Sequence, residues 1–184
     1  MPDKASSGAI WAASRKIVLR QAQAADLPAM NRLMQASRAY EGEYRRILDG
    51  YAVTPEQIAR DHVVLAEGDG HVLGFYSLIT DGEPELDLMF VADAAQGMGL
   101  GARLFRHMRA QAARLGIGSV RIVSHPPAAG FYERMGAVQV GIKPPSGRVT
   151  WERPILALPV TPPGTKPCCT TGPGMDASMP ACKE

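Results

Sequence analysis

Gln96-Gly97-Met98-Gly99-Leu100-Gly101-Ala102 stands between an apolar strand and an amphipathic helix, and its reading decides the fold. Ahead of it, Glu85-Leu86-Asp87-Leu88-Met89-Phe90-Val91 alternates at first and turns apolar at its end, as a strand entering a core does. Behind it, Leu100, Leu104, Phe105, Met108 and Leu115 recur at helical spacing, with Arg103, Arg106, Arg109 and Arg114 largely on the other side, until Gly116 stops the pattern. Glycines alternating just before a helix let the backbone approach a ligand while the free N–H groups of the first turn point outward, which makes an anion site. A diphosphate linked to an adenosine fits such a site, so the field narrows to nucleotides and CoA.

Three readings compete for the loop. A dinucleotide fold shows the same Gly97-x-Gly99-x-x-Ala102, but its glycines follow the strand directly and an acidic residue lies about 20 positions on; no carboxylate appears around Ile122 to His125. A phosphate-binding P-loop needs Gly-Lys-Ser/Thr, and here Gly101 is followed by Ala102-Arg103. A glycine-rich helix start with no ligand is the plainest alternative, yet clustered glycines lose backbone entropy that a mere connection does not need to lose.

Working outward, Ile17-Val18-Leu19-Arg20 reads as a first strand, and Asp26 is placed to cap a helix with Leu27, Met30, Leu33 and Met34 on one face, a helix expected to run on into the Tyr40 to Tyr51 region. Thr54-Pro55-Glu56-Gln57 is a capping box with Pro at the first helical position, starting a short helix that ends near Asp61. His62 to Ala66 and Val72 to Ile79 form a hairpin about Asp69-Gly70, and Asp81-Gly82-Glu83-Pro84 turns into the Glu85 to Val91 strand. Val120 to Val123 follows a βα connection, so a parallel pairing enters an otherwise antiparallel sheet and the class is α/β. A helix over Ala128 to Met135 and closing strands over Ala137 to Gly141 and Val149 to Leu158, with Pro154 at an edge or bulge, complete the domain.

With Gln96, Gly99 and Gly101 in a loop of this form, and with Gly130-Phe131-Tyr132-Glu133-Arg134-Met135-Gly136 downstream, the chain resembles the GNAT superfamily of N-acetyltransferases over roughly residues 17 to 158. Two spaced motifs in the right order are far more specific than one. The resemblance implies a mixed, mostly antiparallel, splayed sheet of six to seven strands flanked by helices, with acyl-CoA in the opening. It implies that the backbone of Met89, Phe90 and Val91 pairs with the pantetheine arm, and that N–H groups of Gly97, Met98, Gly99, Leu100, Gly101 and Ala102, beside Gln96, hold the pyrophosphate. Phe131 belongs to the same lining. Where the family often has Asn, this chain has His125, which puts one expected CoA contact in doubt.

Direct attack of an amine on a thioester needs a polarised carbonyl, a neutral amine and a proton for the departing thiolate. Tyr132 matches the family's acid, and a phenol with a reference pKa of about 10 suits a thiolate whose conjugate acid lies near roughly 8.5. Glu85 and Asp87, two residues apart on one strand, project from the same face and are the candidate bases. Glu41, Glu43, Tyr40 and Tyr44 lie where the family's early helices border the acceptor, and Arg103 or Arg106 lies nearest the loop for an adenosine 3'-phosphate. The expected activity is transfer of acetyl from acetyl-CoA, as co-substrate, to a primary amine of a small molecule or peptide in a ternary complex; a non-catalytic CoA-binding regulatory domain is the alternative.

Composition bounds the rest. With 20 Lys and Arg against 18 Asp and Glu, the net charge of +2 gives no field that calls for nucleic acid, and no apolar run is long enough to span a membrane. A cytoplasmic protein is the plain reading, with homodimerisation left open. Residues 1–15 and 160–184 read as disordered tails around a 16–159 domain. The three cysteines, Cys168, Cys169 and Cys182, fall in the second tail with no His nearby, and His62, His71 and His107 lack ligand spacing, so no metal is expected.

Overall fold

The computed structural model describes residues 16–161; the expected first tail, residues 162–184 and all three cysteines lie outside them, while Val160, expected in the second tail, is buried in the core with its N–H bonded to the Gly118 carbonyl at 2.9 Å. Seven strands form one sheet in the order β1-β2-β3-β4-β5-β7-β6. The strands are β1 (Val18–Gln21), β2 (His62–Gly68), β3 (His71–Ile79), β4 (Glu85–Val91), β5 (Ser119–Val123), β6 (Val138–Lys143) and β7 (Arg153–Pro159). The helices are α1 (Leu27–Gln35), α2 (Pro55–Arg60), α3 (Leu100–Arg114) and α4 (Ala129–Arg134). Only β4 and β5 run parallel, and the crossover between them is α3. This is the mixed, mostly antiparallel sheet expected from the sequence.

Local chemistry accounts for most boundaries. Asp69 and Gly70 take φ of 51° and 75°, the two positive angles that join β2 to β3 tightly. The Thr54 hydroxyl accepts the Gln57 N–H at 3.3 Å and starts α2. Asp26, expected as the cap of α1, acts one turn earlier: its carboxylate accepts the Gln23 N–H at 2.8 Å and pairs with Arg20, which holds it below the usual carboxylate range. The helix expected to continue beyond α1 does not. It stops at Gln35, and short 3-10 turns over Arg38–Tyr40 and Gly42–Ile47 replace it, separated where Gly42 adopts a φ of 70°.

Pro154 is not at a sheet edge. β7 lies between β5 and β6, and Pro154 is its second residue, its carbonyl accepting the Ser124 N–H at 2.8 Å. Position near a strand start, where the ladder is only beginning, makes the missing donor tolerable there.

The sheet buries both faces. On one face Tyr76, Leu78, Ile122 and Leu156 pack with Leu104, Phe105 and Met108 of α3; on the other Val63, Leu65, Phe75 and Phe90 pack with Met30 and Met34 of α1. Each such fully buried side chain contributes roughly 1.5–3 kcal/mol. At Gly74 the backbone of β3 approaches its neighbours more closely than any side chain permits: a Cβ would lie 2.8 Å from the Phe90 carbonyl oxygen and 3.0 Å from a Leu104 methyl. Gly74→Ala is therefore expected to destabilise the protein by about 1–3 kcal/mol, read as a melting temperature lower by roughly 2–10 °C.

Candidate active site

β4 pairs with β3 at every residue except Asp87, whereas with β5 it shares one ladder pair, Glu85 with Arg121. The Arg121 N–H bonds the Pro84 carbonyl at 2.8 Å, and beyond that point the strands part. β5 stays with β7 instead, Ser119 to Val123 all being paired to it. The result is a cleft of about 540 Å³ whose one wall is the free side of β4. Met89, Phe90 and Val91 line it, with backbone groups that have no ladder partner on that side.

The glycine loop closes one end. Gly97 and Gly99 have φ of 75° and 76°, in the left-handed region, and open space surrounds the Cβ position of each. Conformation, not crowding, demands glycine there. Gly99 is the N-cap of α3 and no side chain caps that helix, so the N–H groups of its first turn remain for an anion. Gln96 ties the loop down by donating to Asp93 at 3.0 Å, and Asp93 also accepts the Arg38 N–H at 3.3 Å.

Of the residues expected at the site, Asp87, Met89, Phe90, Val91, Gln96, Gly97, Gly99, Leu100, Gly101, Ala102, His125, Phe131 and Tyr132 all line the cleft. Met98 and Glu85 are not among its lining residues. Met98 points into solvent, 53% exposed. Glu85 is held by Arg121 at 2.7 Å. Spacing had placed Glu85 and Asp87 as equals on one face, but the pairing of β4 with β3 slips here: Leu86 faces Leu78 and Leu88 faces Ser77. Asp87 is thus the extra residue of a β-bulge, a device that re-aims a side chain.

Asp87 accepts from the Gln57 amide at 3.0 Å. Desolvation by the surrounding protein holds its carboxyl above the usual aspartate range, with the nearby Glu85 and Asp61 carboxylates adding to the effect. Tyr132 is buried among Phe105 and Phe131, and burial pushes its phenol up, with Tyr40 contributing. It stays protonated at neutral pH, as a proton donor must.

His125 is tied to the segment that carries Tyr40. Its Nε2–H donates to the Ala39 carbonyl at 2.7 Å, which leaves Nδ1 as the unprotonated nitrogen, buried and without a partner. Its ring stacks on Tyr40 at 4.5 Å and meets the edge of Tyr44 at 4.3 Å. Desolvation lowers its pKa, so the ring is neutral. His125 thereby braces the segment carrying Tyr40 and Tyr44 over the cleft. Arg103 and Arg106 bond backbone carbonyls of Ile17 and Ala102. The cation that does line the cleft is Arg134, which the motif contained but whose direction only the fold reveals. Gln57 was equally invisible as a site residue, lying 30 positions from the group it holds.

Among the described residues no helix is long and apolar enough to cross a membrane. No curated protein matches the sequence. Residues 59–136, which carry β2 to β5, the loop, α3 and α4, match the acetyltransferase (GNAT) domain. The solved ribosomal-protein-S18-alanine N-acetyltransferase of Escherichia coli is similar at 20% identity and a TM-score of 0.62, over 81% of this chain and 97% of that one. The paia N-acetyltransferase of Thermoplasma acidophilum, solved with coenzyme A, is similar at 16% identity and a TM-score of 0.58, over 78% and 99%. The yncA protein of Salmonella typhimurium, solved with its cofactor acetyl-CoA, is similar at 19% identity and a TM-score of 0.63, over 84% and 99%. At such identities the shared property is the fold. The cleft-bearing elements thus match the acetyltransferase (GNAT) domain, and the fold around them is the one shared with these solved acetyltransferases.

Proposed function

We propose that the protein is an N-acetyltransferase that moves an acetyl group from acetyl-CoA to a primary amine of a small molecule or peptide, by direct attack in a ternary complex. The observation that carries this reading is the convergence on one cleft of a free strand edge, an uncapped glycine-rich helix start, a buried phenol and a re-aimed carboxylate. The first two fit the donor: the edge of β4 over Met89 to Val91, which β5 leaves unpaired, suits an amide-bearing arm, and N–H groups from Gly97 to Ala102 suit a diphosphate, with Arg134 as a further cation.

Bound acetyl-CoA would supply the thioester whose carbonyl carbon is attacked. Asp87 takes the proton of the incoming ammonium, directly or through a water, leaving the neutral amine. The new C–N bond forms as the C–S bond breaks, Tyr132 gives its proton to the leaving thiolate, and the proton shed by the new amide nitrogen passes through water to restore the phenol. A purely regulatory CoA-binding domain would need the loop but neither Tyr132 nor Asp87 in the cleft, so their presence favours catalysis.

The direct test is a thiol-release screen of acetyl-CoA against amines, amino acids, peptides and aminated antibiotics. Release above the acceptor-free rate supports the proposal, and none with any of these classes, despite CoA binding, points to the regulatory reading. For the donor site, Gly101→Asp is informative. A Cβ at Gly101 meets only ordinary contacts, 3.7 Å from the Phe131 ring, and an acidic residue in a first helical turn favours the helix. The variant is expected to melt close to the wild type while binding acetyl-CoA at least about tenfold more weakly, because a fixed carboxylate occupies the anion site. Equal affinity by calorimetry would place the diphosphate elsewhere.

A further inference from the structure

Gln57 acts on the cleft from behind it. It belongs to α2, the short helix started by Thr54, and its side chain is buried. The amide Nε2 donates to Oδ2 of Asp87 at 3.0 Å. The same amide is clasped by the Tyr51 hydroxyl, 3.2 Å from Nε2 and 3.3 Å from Oε1. An ionised carboxylate can only accept, so the pairing with Asp87 fixes which end of the amide faces it. Asp87, as the bulged residue, has no partner across the ladder in β3. The sheet that holds its neighbours does not hold it, and the contact from Gln57 supplies that constraint.

The charges around Asp87 sharpen the point. Glu85 precedes it on β4, paired with Arg121; Asp61 follows α2, buried, paired with Arg60 and accepting from the Ser77 hydroxyl. Tyr51 stands behind Gln57, while Tyr40, His125, Tyr132 and Arg134 line the same cleft. The two neighbouring carboxylates oppose ionisation of Asp87, whereas a hydrogen bond donated to the carboxylate favours it.

We propose that Gln57, anchored by Tyr51, is the positioning residue that orients the Asp87 carboxylate into the cleft and keeps it able to take a proton from an incoming ammonium. This rests on the reading of Asp87 as the base. Loss of the donor removes an interaction made only with the charged carboxylate, so the titration midpoint of Asp87 must rise.

The measurement is a carbon-13 NMR titration of the Asp87 carboxyl in the full chain, its signal assigned by its disappearance in Asp87→Asn. In Gln57→Met the midpoint is expected to move up by about one pH unit, and in Tyr51→Phe to move the same way by less. The acid limb of thiol release from acetyl-CoA, with the best primary amine of the screen, should move up with it in Gln57→Met while the KM for acetyl-CoA holds. An unmoved midpoint in folded Gln57→Met overturns the proposal, and if that variant does not fold, an unmoved midpoint in Tyr51→Phe overturns it. The two readings fail separately: an Asp87→Asn protein with unchanged thiol release removes the base assignment, whereas an impaired Asp87→Asn beside an unmoved midpoint removes only the role of Gln57.

Discussion

Tyr132→Phe is expected to lower turnover by about 10²-fold or more while the affinity for acetyl-CoA stays within twofold of the wild type, the contribution of a positioned general acid being roughly 10² to 10⁴. The substitution removes one oxygen and keeps the ring, so the contacts with Phe105 and Phe131 survive and the melting temperature should barely change. A loss of about 10² corresponds to roughly 2.7 kcal/mol of transition-state stabilisation, which a misplaced wall residue would not produce without also weakening binding. Steady-state kinetics with calorimetric affinities separates the two. Because burial raises the Tyr132 phenol, any loss of activity from its ionisation should set in only above the ordinary tyrosine range in the wild type. Unchanged turnover in the variant would reject the acid assignment and hand the thiolate's proton to solvent.

Asp87→Asn carries the second large effect. Turnover near neutral pH is expected to fall by about 10², since the amide cannot accept the ammonium proton and Glu85, held by Arg121 outside the cleft, cannot replace it. The pH dependence gives a sharper signature. In the wild type the base works only when ionised, so activity is lost as pH falls through the Asp87 pKa, and desolvation places that loss above the range of an ordinary aspartate. In Asp87→Asn this acid limb should disappear, leaving a low rate that rises with pH as free amine becomes available. Glu85→Gln serves as the control: it breaks a half-buried ion pair at the closed end of the β4 and β5 junction and should alter stability more than turnover.

What could be read from the sequence was what local chemistry determines. The glycine loop, the apolar run of β4 and the amphipathic pattern of α3 each repeat within one turn or one strand, so periodicity and backbone freedom identified them, and the Phe131-Tyr132 pair was legible as a motif. The features that escaped are set by partners distant in the chain. The bulge that separates Asp87 from Glu85 exists only because β4 is registered against β3. Insertion of β7 between β5 and β6 is a matter of strand order, so Pro154 could not be placed from its neighbours. The segment after α1 carried helix-compatible residues, yet Gly42 and aromatic contacts of Tyr40 and Tyr44 to His125 folded it over the cleft as two short turns. His125 illustrates the same limit: the sequence flagged a departure at that position, while its role in bracing the Tyr40 segment required the Ala39 carbonyl, 86 residues away.

Everything above depends on the parted strands and the glycine loop being a site for CoA. Calorimetric titration of the wild-type chain with acetyl-CoA tests this most directly, paired with a thermal melt at saturating ligand. One molecule bound per chain is expected, and at about 100 times the Kd the stabilisation is roughly 2.7 kcal/mol, which raises the melting temperature by about 5–10 °C. No heat of binding together with an unchanged melting temperature at millimolar acetyl-CoA would contradict it, and the loop would then be only the start of a helix.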